Sequence, residues 1–186
     1  MSLLATSSQT VGPYVHLAFP HVASADVAPA GVPGERIVVR GTIVDGDGKP
    51  MNDGFVELWQ ADAEGRYVHP ESSGAAFADS GFKGFGRCAT DNTGTFRFNT
   101  IKPGRVAGAD GTLQAPHLTV LIFARGLLKH LATRMYFPDD AANAEDPILQ
   151  LVPQARRSTL IARREADALA WNIVLQGPGE TVFFDY

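Results

Sequence analysis

The sequence predicts a mainly β protein whose antiparallel strands form a β-sandwich. Nineteen glycines and twelve prolines are spread along the 186 residues, and short runs of β-branched and aromatic residues lie between them, as expected for short strands joined by turns. Within residues 95–100 two phenylalanines alternate with polar residues, which is the pattern of a half-buried strand. Residues 117–123 are almost continuously apolar, which indicates a strand covered on both faces. Two packed antiparallel sheets bury such strands economically.

The first four strands are predicted to form two hairpins. Residues 36–44 and 55–60 flank an Asp-Gly-Asp-Gly turn, and residues 86–90 and 95–100 flank the turn at 91–94. The remaining strands are expected at residues 117–123, 131–137, 159–163 and 170–175.

Three segments fall outside this strand pattern. Residues 1–34 show no clear period and contain four prolines, so we expect an extended N-terminal arm that lies over the sandwich domain of residues 35–186 or over a neighbour. Residues 139–149 have the acidic start and alanine content of a short helix, which Pro147 is expected to end. The apolar loop at 71–86 is expected to pack on the body or on a partner.

Composition excludes several classes of function. Sixteen Lys and Arg against twenty Asp and Glu give a net charge of −4 without a basic block, which argues against sequence-independent nucleic-acid binding. No stretch approaches the roughly 20 apolar residues of a membrane-spanning helix, and the N-terminus lacks the features of a signal peptide, so a cytoplasmic location is expected. The single cysteine, Cys88, agrees with a reducing compartment and is expected to be a small apolar strand residue.

The residues that could carry chemistry are few. Five histidines stand at positions 16, 21, 69, 117 and 130, and none is spaced to chelate a metal with another. His117 shares its predicted strand face with Thr119, a weak neutral donor, so a hydrogen-bonded core histidine is the favoured interpretation. Arg125 follows the apolar strand and could bind a carboxylate through bidentate hydrogen bonds. A salt bridge from Arg125 to an acidic loop of the same chain fits the spacing equally well.

Taken together, the sequence segments resemble the intradiol ring-cleaving dioxygenases, β-sandwich enzymes, and among them the α-type subunits of the two-chain members. The resemblance covers nearly the whole length. It is carried by Ser8–Tyr14 (SQTVGPY), Val56–Tyr67 (VELWQADAEGRY), Gly86–Thr90 (GRCAT), Ile101–Gly104 (IKPG), Ala115–His117 (APH), Phe123–Gly126 (FARG) and Gly179–Tyr186 (GETVFFDY).

The resemblance also implies a lost metal site. The family's catalytic subunit binds non-haem ferric iron through two tyrosines and two histidines. Tyr67 and His117 stand at the first tyrosine and first histidine positions, but Val106 and Thr119 replace the second of each. Gln114 stands where the catalytic subunit has an arginine. One phenolate and one imidazole suit ferric iron poorly, so the four positions are expected to be vestigial and this chain to bind no cofactor.

The resemblance further implies a partner, a homologous β subunit that binds the Fe(3+) of the assembled α–β oligomer. The substrate is 3,4-dihydroxybenzoate, which reacts with O2 to give 3-carboxy-cis,cis-muconate. This chain is expected to supply no catalytic residue but to line the substrate cleft with Thr10, Gly12, Pro13, Tyr14 and Arg125. Arg125 and Tyr14 are the favoured contacts to the substrate carboxylate.

Two alternatives remain open from the sequence. An independent dioxygenase could use His130 or Tyr136 as metal ligands beside Tyr67 and His117. A non-enzymatic binding module could use the same β-sandwich, since architecture alone does not specify function.

Overall fold

A computed structural model describes residue 7 and residues 9–68, 81–108 and 110–185. The part of the predicted 71–86 loop before residue 81 therefore lies outside the described residues, as does His69. The bounds of the strands are as follows: β1 Arg36–Val44, β2 Phe55–Trp59, β3 Phe85–Ala89, β4 Thr95–Ile101, β5 Val106–Ala107, β6 Leu113–Gln114, β7 His117–Phe123, β8 Leu131–Tyr136, β9 Arg163–Arg164, β10 Leu169–Ala170 and β11 Ile173–Val174. The helices are α1 Tyr14–Val22 and α2 Pro147–Leu151, with 3₁₀ helices at Ala141–Ala144 and Gln154–Leu160.

The strands form two main sheets, and the predicted antiparallel sandwich is confirmed. In the first sheet β4 pairs with one edge of β1, and β10 and β11 pair with β1 in parallel on the other, with β9 beyond β10. The second sheet is antiparallel throughout, in the order β3-β2-β7-β8, and β5 and β6 form a separate pair. One core cluster contains apolar residues of both main sheets: Val39, Ile43, Phe96 and Phe98 from the first and Val56, Leu58, Leu118, Val120, Ile122 and Met135 from the second.

Both predicted hairpins are wrong, although all four strands are present. β1 pairs with β4, and β2 pairs with β3 and β7, so each predicted hairpin links strands of different sheets. The turns themselves form as expected, because Asp45 Oδ1 accepts from the amides of Asp47 and Lys49, and Asp91 Oδ1 accepts from Thr93 and Thr95. Such turns reverse the chain locally but do not determine which sheet the next strand joins.

The predicted arm contains a helix that the sequence pattern did not indicate. α1 begins after Pro13, which holds a helical backbone conformation, and the Phe19 ring lies 5.4 Å from that of Phe55 on β2. After α1 the chain runs along the sandwich, where Val27 is fully buried in the core cluster. The described part of the arm is therefore packed against the domain. No described helix is long and apolar enough to cross a membrane.

The second helix and the last strands also differ from expectation. Pro147 begins α2 instead of ending a helix, because a proline at the first helical position loses no intrahelical hydrogen bond. The strand predicted at 159–163 does not form as one strand: residues 159 and 160 end the 3₁₀ helix Gln154–Leu160, Ile161 makes an isolated bridge to Tyr136, and Arg163 begins β9. The strand predicted at 170–175 is interrupted at Trp171, between β10 and β11. The Trp171 carbonyl oxygen packs closely on β1: it would lie 1.8 Å from a Cβ at Gly41, so only glycine fits at position 41.

Candidate functional site

The outer face of the second sheet carries the two histidine-ligand positions. His117, Thr119, Leu121 and Phe123 alternate with the core residues of β7 and face away from the sandwich interior. Across the ladder, His117 lies opposite Tyr136 and Thr119 lies opposite Arg134, both on β8. Residues directly opposite each other in a sheet share a face. The two ligand positions thus lie beside a phenol and a guanidinium.

His117 is a buried, neutral imidazole. Its side chain is 3% exposed, and Nδ1 lies 2.8 Å from the carbonyl oxygen of Ala115, so Nδ1–H donates to that carbonyl. Burial, and to a smaller extent the positive charge of Arg134, lowers the pKa of His117 to about 4. The expectation of a hydrogen-bonded core histidine is confirmed.

Asp146 holds this region together. Its side chain is fully buried, and Oδ1 accepts from the Tyr136 hydroxyl at 2.9 Å and from the amides of Ile148 and Leu149 at the start of α2. Oδ2 accepts from the amide of Ala115 at 2.7 Å. Burial and the Asp146 charge both raise the pKa of Tyr136, so its phenol stays protonated.

Arg134 places a cation beside the vestigial ligand positions. Its Nη1 donates to Oε1 of Gln114 at 2.6 Å, and its guanidinium also interacts with the Tyr136 hydroxyl. Gln114 is the residue that stands in place of the family's arginine. A fixed positive charge next to Thr119 and His117 disfavours a second cation there.

The two tyrosine-ligand positions come together through a tight turn. Gly65 packs on the segment that leads into Val106, and a Cβ on Gly65 would lie 1.9 Å from the carbonyl oxygen of Arg105. The amide of Gly104 donates to the Asp62 carbonyl at 2.8 Å, which holds the two segments together. Tyr67 follows this turn and lines a cavity of about 320 Å³ with Trp59. Val106 is 8% exposed and offers no donor atom.

The residues present do not fit ferric iron. His117 can offer only Nε2, Thr119 is neutral, Val106 is a hydrocarbon, and a cation lies beside them. The alternative ligands that the sequence offered, His130 and Tyr136, do not complete a metal site. The Tyr136 hydroxyl is committed to Asp146, and the His130 ring packs 5.4 Å from the ring of Phe123, at the opposite end of β7 from His117 and about 20 Å away along the strand. Among the described residues, no three His, Cys, Asp or Glu side chains converge as metal ligands.

A second candidate site lies where the arm meets the end of β7. The Thr10 hydroxyl accepts from the amide of Gly126 at 2.9 Å and donates to the carbonyl of Ala124 at 3.4 Å, so it spans the residue between them, Arg125. Beside it is a cleft of about 230 Å³ lined by Val11, Gly12, Pro13, Asn52, Asp53 and Arg125. The structure thus brings four of the five expected substrate-binding residues together.

Tyr14, the fifth of the expected substrate-binding residues, and Gly12 differ from expectation. Tyr14 is 81% exposed at the start of α1 and does not line the cleft. A Cβ on Gly12 would meet no atom within 4 Å, so packing within this chain does not require glycine there. Arg125 forms an ion pair with Asp53, Nε to Oδ2 3.0 Å, so the salt bridge to a loop of the same chain is present. The guanidinium nevertheless stays 76% exposed, and both sequence interpretations of Arg125 remain compatible.

A family model described as Dioxygenase matches residues 12–177. The chain belongs to the intradiol dioxygenase family. The alpha chain of protocatechuate 3,4-dioxygenase from Pseudomonas putida is 43% identical over an alignment of 198 residues, which covers 97% of this chain and 96% of that protein. The beta chain of protocatechuate 3,4-dioxygenase from Burkholderia cepacia is 42% identical over 158 residues, covering 80% of this chain and 67% of that protein.

Intradiol dioxygenases of known structure share the fold. The dioxygenase domain of a dioxygenase and carbohydrate-binding fusion protein from Streptomyces sp. SirexAA-E superposes with a TM-score of 0.64 at 24% identity, covering 96% of this chain and 100% of that domain. This likeness concerns the fold; the family model and the sequence relatives make the chain a member of a family of oxidoreductases.

Sequence reasoning missed three residues of these sites. Asp53, Arg134 and Asp146 each contact a residue that the sequence did single out: Arg125, Gln114 and Tyr136 respectively. None of the three carries a sequence signal. The pairing of β7 with β2 and with β8, which depends on the whole fold, brings Asp53 to Arg125 and Arg134 to Thr119.

Proposed function

We propose that this chain is the α-type subunit of a two-chain cytoplasmic enzyme that cleaves 3,4-dihydroxybenzoate with O2 to 3-carboxy-cis,cis-muconate. A homologous β-type subunit holds the ferric iron, and this chain supplies one wall of the substrate cleft. Relatives named as alpha and beta chains of one enzyme support a two-chain assembly. The proposal that this chain holds no iron is supported by the donor set at Tyr67, Val106, His117 and Thr119.

The observation that carries the proposal is the anchoring of the arm beside an exposed guanidinium. Because Thr10 bonds to the residues on both sides of Arg125, the arm and the arginine form one unit. The substrate binds iron through its two hydroxyls and carries a carboxylate at the far end of the ring. A guanidinium at the outer end of the cleft would receive that carboxylate, and Gly12 and Pro13 would form the wall beside it. Tyr14, exposed next to them, would face the partner chain or the substrate.

Arg125→Ala tests this role in the enzyme assembled with its β-type partner. Losing a charge-assisted contact should raise KM for 3,4-dihydroxybenzoate by about 10- to 100-fold, since such a contact contributes about 1.5–3 kcal/mol. Catechol lacks the carboxylate, so its KM should change little. The control variant is Lys129→Ala, which removes an exposed cation that pairs with Asp185. Equal effects of Arg125→Ala on the two substrates would contradict carboxylate binding by Arg125.

The non-enzymatic binding module is not favoured. A generic sandwich gives no reason for the arm to be anchored around an exposed arginine, and the chain belongs to an enzyme family.

A further inference from the structure

Asp53 lies at the base of the cleft and touches the arginine proposed to bind substrate. We propose that Asp53 is a positioning residue, which holds the Arg125 side chain so that its terminal nitrogens face the substrate carboxylate. This inference rests on the proposed function of Arg125.

The backbone brings the two residues together. β2 and β7 pair with Phe55 opposite Phe123 and Val56 opposite Ile122. Asp53 and Arg125 stand two residues beyond the end of this ladder, in the turns before β2 and after β7. The paired strands therefore carry both side chains to the same edge of the sheet, where Nε and Oδ2 meet at 3.0 Å.

The backbone next to Asp53 is held in place. The amide of Gly54 donates to Thr90 Oγ1 at 3.1 Å, and the carbonyl of Gly54 accepts from the Thr90 amide at 2.9 Å and from its hydroxyl at 3.0 Å. The Asp53 side chain is 16% exposed, against 76% for Arg125. The partly buried carboxylate, carried by a held backbone, therefore has less freedom than the exposed guanidinium and orients it.

The atoms in contact leave the substrate-binding edge of Arg125 available. Asp53 Oδ2 lies 3.0 Å from Nε, which carries one of the five guanidinium hydrogens. The other four are on Nη1 and Nη2, for which the described residues provide no ion-pair partner. A carboxylate binds well across two guanidinium nitrogens. Asp53 and a substrate carboxylate thus contact different nitrogens and need not compete.

The advantage of this arrangement is preorganisation. An exposed arginine without a partner samples many rotamers, and ordering it on binding costs affinity. A carboxylate held against Nε removes much of that cost before the substrate arrives. The exposed ion pair itself adds little to the free energy of folding.

The test is a set of variants in the enzyme assembled with its β-type partner. We expect Asp53→Ala to raise KM for 3,4-dihydroxybenzoate by about three- to tenfold, the cost of ordering one long side chain, with kcat unchanged. KM for catechol should stay within about twofold. Asp53→Asn keeps the shape of the side chain but loses its charge, so its effect should lie between those of wild type and Asp53→Ala. Asp47→Ala is the matched control, because it removes an exposed carboxylate from the same β1–β2 connection without touching Arg125.

A double-mutant cycle separates this inference from the proposed function. In the Arg125→Ala background, Asp53→Ala should have no further effect on either substrate. If Arg125→Ala discriminates between the substrates but Asp53→Ala leaves KM unchanged or lowers it, the positioning role is wrong and the proposed function stands. If Asp53→Ala raises KM for catechol and for 3,4-dihydroxybenzoate equally, the role of Asp53 is structural and the positioning role is wrong. If Arg125→Ala does not discriminate, both proposals fail.

A second readout needs neither iron nor a partner. In the ¹⁵N-labelled chain, the Nε–H group of Arg125 should be more ordered, with a higher ¹⁵N order parameter, in the wild type and in Asp47→Ala than in Asp53→Ala. Equal order parameters in wild type and Asp53→Ala would contradict the positioning role. Amide spectra of each variant establish that it is folded.

Discussion

At the scale of single residues, His117 and its neighbours on β8 and α2 form a hydrogen-bonded network. His117 donates to the Ala115 carbonyl, Tyr136 donates to Asp146, and Arg134 donates to Gln114. Each of these three side chains thereby has at least one hydrogen-bond partner, which reduces the penalty for burying it. The positive charge that a metal would bring is represented by the Arg134 guanidinium.

The free energy of unfolding should depend on pH through His117. Its pKa is about 4 in the folded chain and about 6.5 in an unfolded one, so between these values the unfolded state binds more protons. Stability from the neutral imidazole is therefore fully present above about pH 6.5 and is lost as the pH falls towards 4. Between pH 7 and 5, wild type should lose about 2 kcal/mol more than His117→Gln in denaturant unfolding.

The control for His117 is His130→Gln, which changes an exposed histidine. It should keep the pH dependence of the wild type. Parallel pH curves for wild type and His117→Gln would mean that His117 is not buried as a neutral group.

Residue chemistry was predictable from the sequence where it depended on local context. A histidine in an apolar strand predicts a buried imidazole, and an arginine directly after that strand predicts a cation at the rim. The role of Asp146, which accepts from the Ala115 amide beside that imidazole, was not predictable. Asp146 lies 31 residues from Ala115 along the chain and meets it only through the packing of α2. Arg134 was missed for a similar reason, since the pairing of β7 with β8 decides that it lies beside Thr119.

At the scale of secondary-structure elements, strands were easier to predict than their pairing. The alternation in β4 and the apolar run of β7 reflect burial, which each strand experiences by itself. Pairing depends on the whole fold: the Asp45 and Asp91 turns carry the chain from one sheet to the other, and local turn chemistry does not encode that choice. α1 was missed because Pro13 before it and Pro20 within it suggest extended chain, although a proline is well tolerated just before a helix begins.

α2 depends on Asp146, and replacing this residue should destabilise the whole domain. Asp146→Asn leaves one acceptor oxygen where the aspartate has two, and its amide group would face the Ala115 amide, donor against donor. We expect a loss of about 2–4 kcal/mol in the free energy of unfolding, measured with denaturant.

Asp47→Asn serves as the control for this cap, since it changes a carboxylate that is 77% exposed, and it should stay within about 0.5 kcal/mol of wild type. A loss below 1 kcal/mol for Asp146→Asn would contradict the bridging role of Asp146 between α2 and β7.

At the scale of the whole molecule, the chain has two specialised ends on one sheet. The His117 end of β7 and β8 carries the closed polar network, and the Arg125 end carries the open cleft with the arm. The family relationship was predictable from the distributed motifs, which span almost the entire chain. The division of labour between two chains is a proposal that follows from the lost ligands and the retained cleft. It requires that metal chemistry belong to the partner.

The most direct test of this division is the iron content and visible spectrum of the chain purified alone and after co-expression with a β-type partner. We expect a colourless, iron-free chain alone, and a coloured complex with one iron per pair of chains that cleaves 3,4-dihydroxybenzoate. Iron bound at one per chain, with ring-cleaving activity, in the chain purified alone would contradict the account.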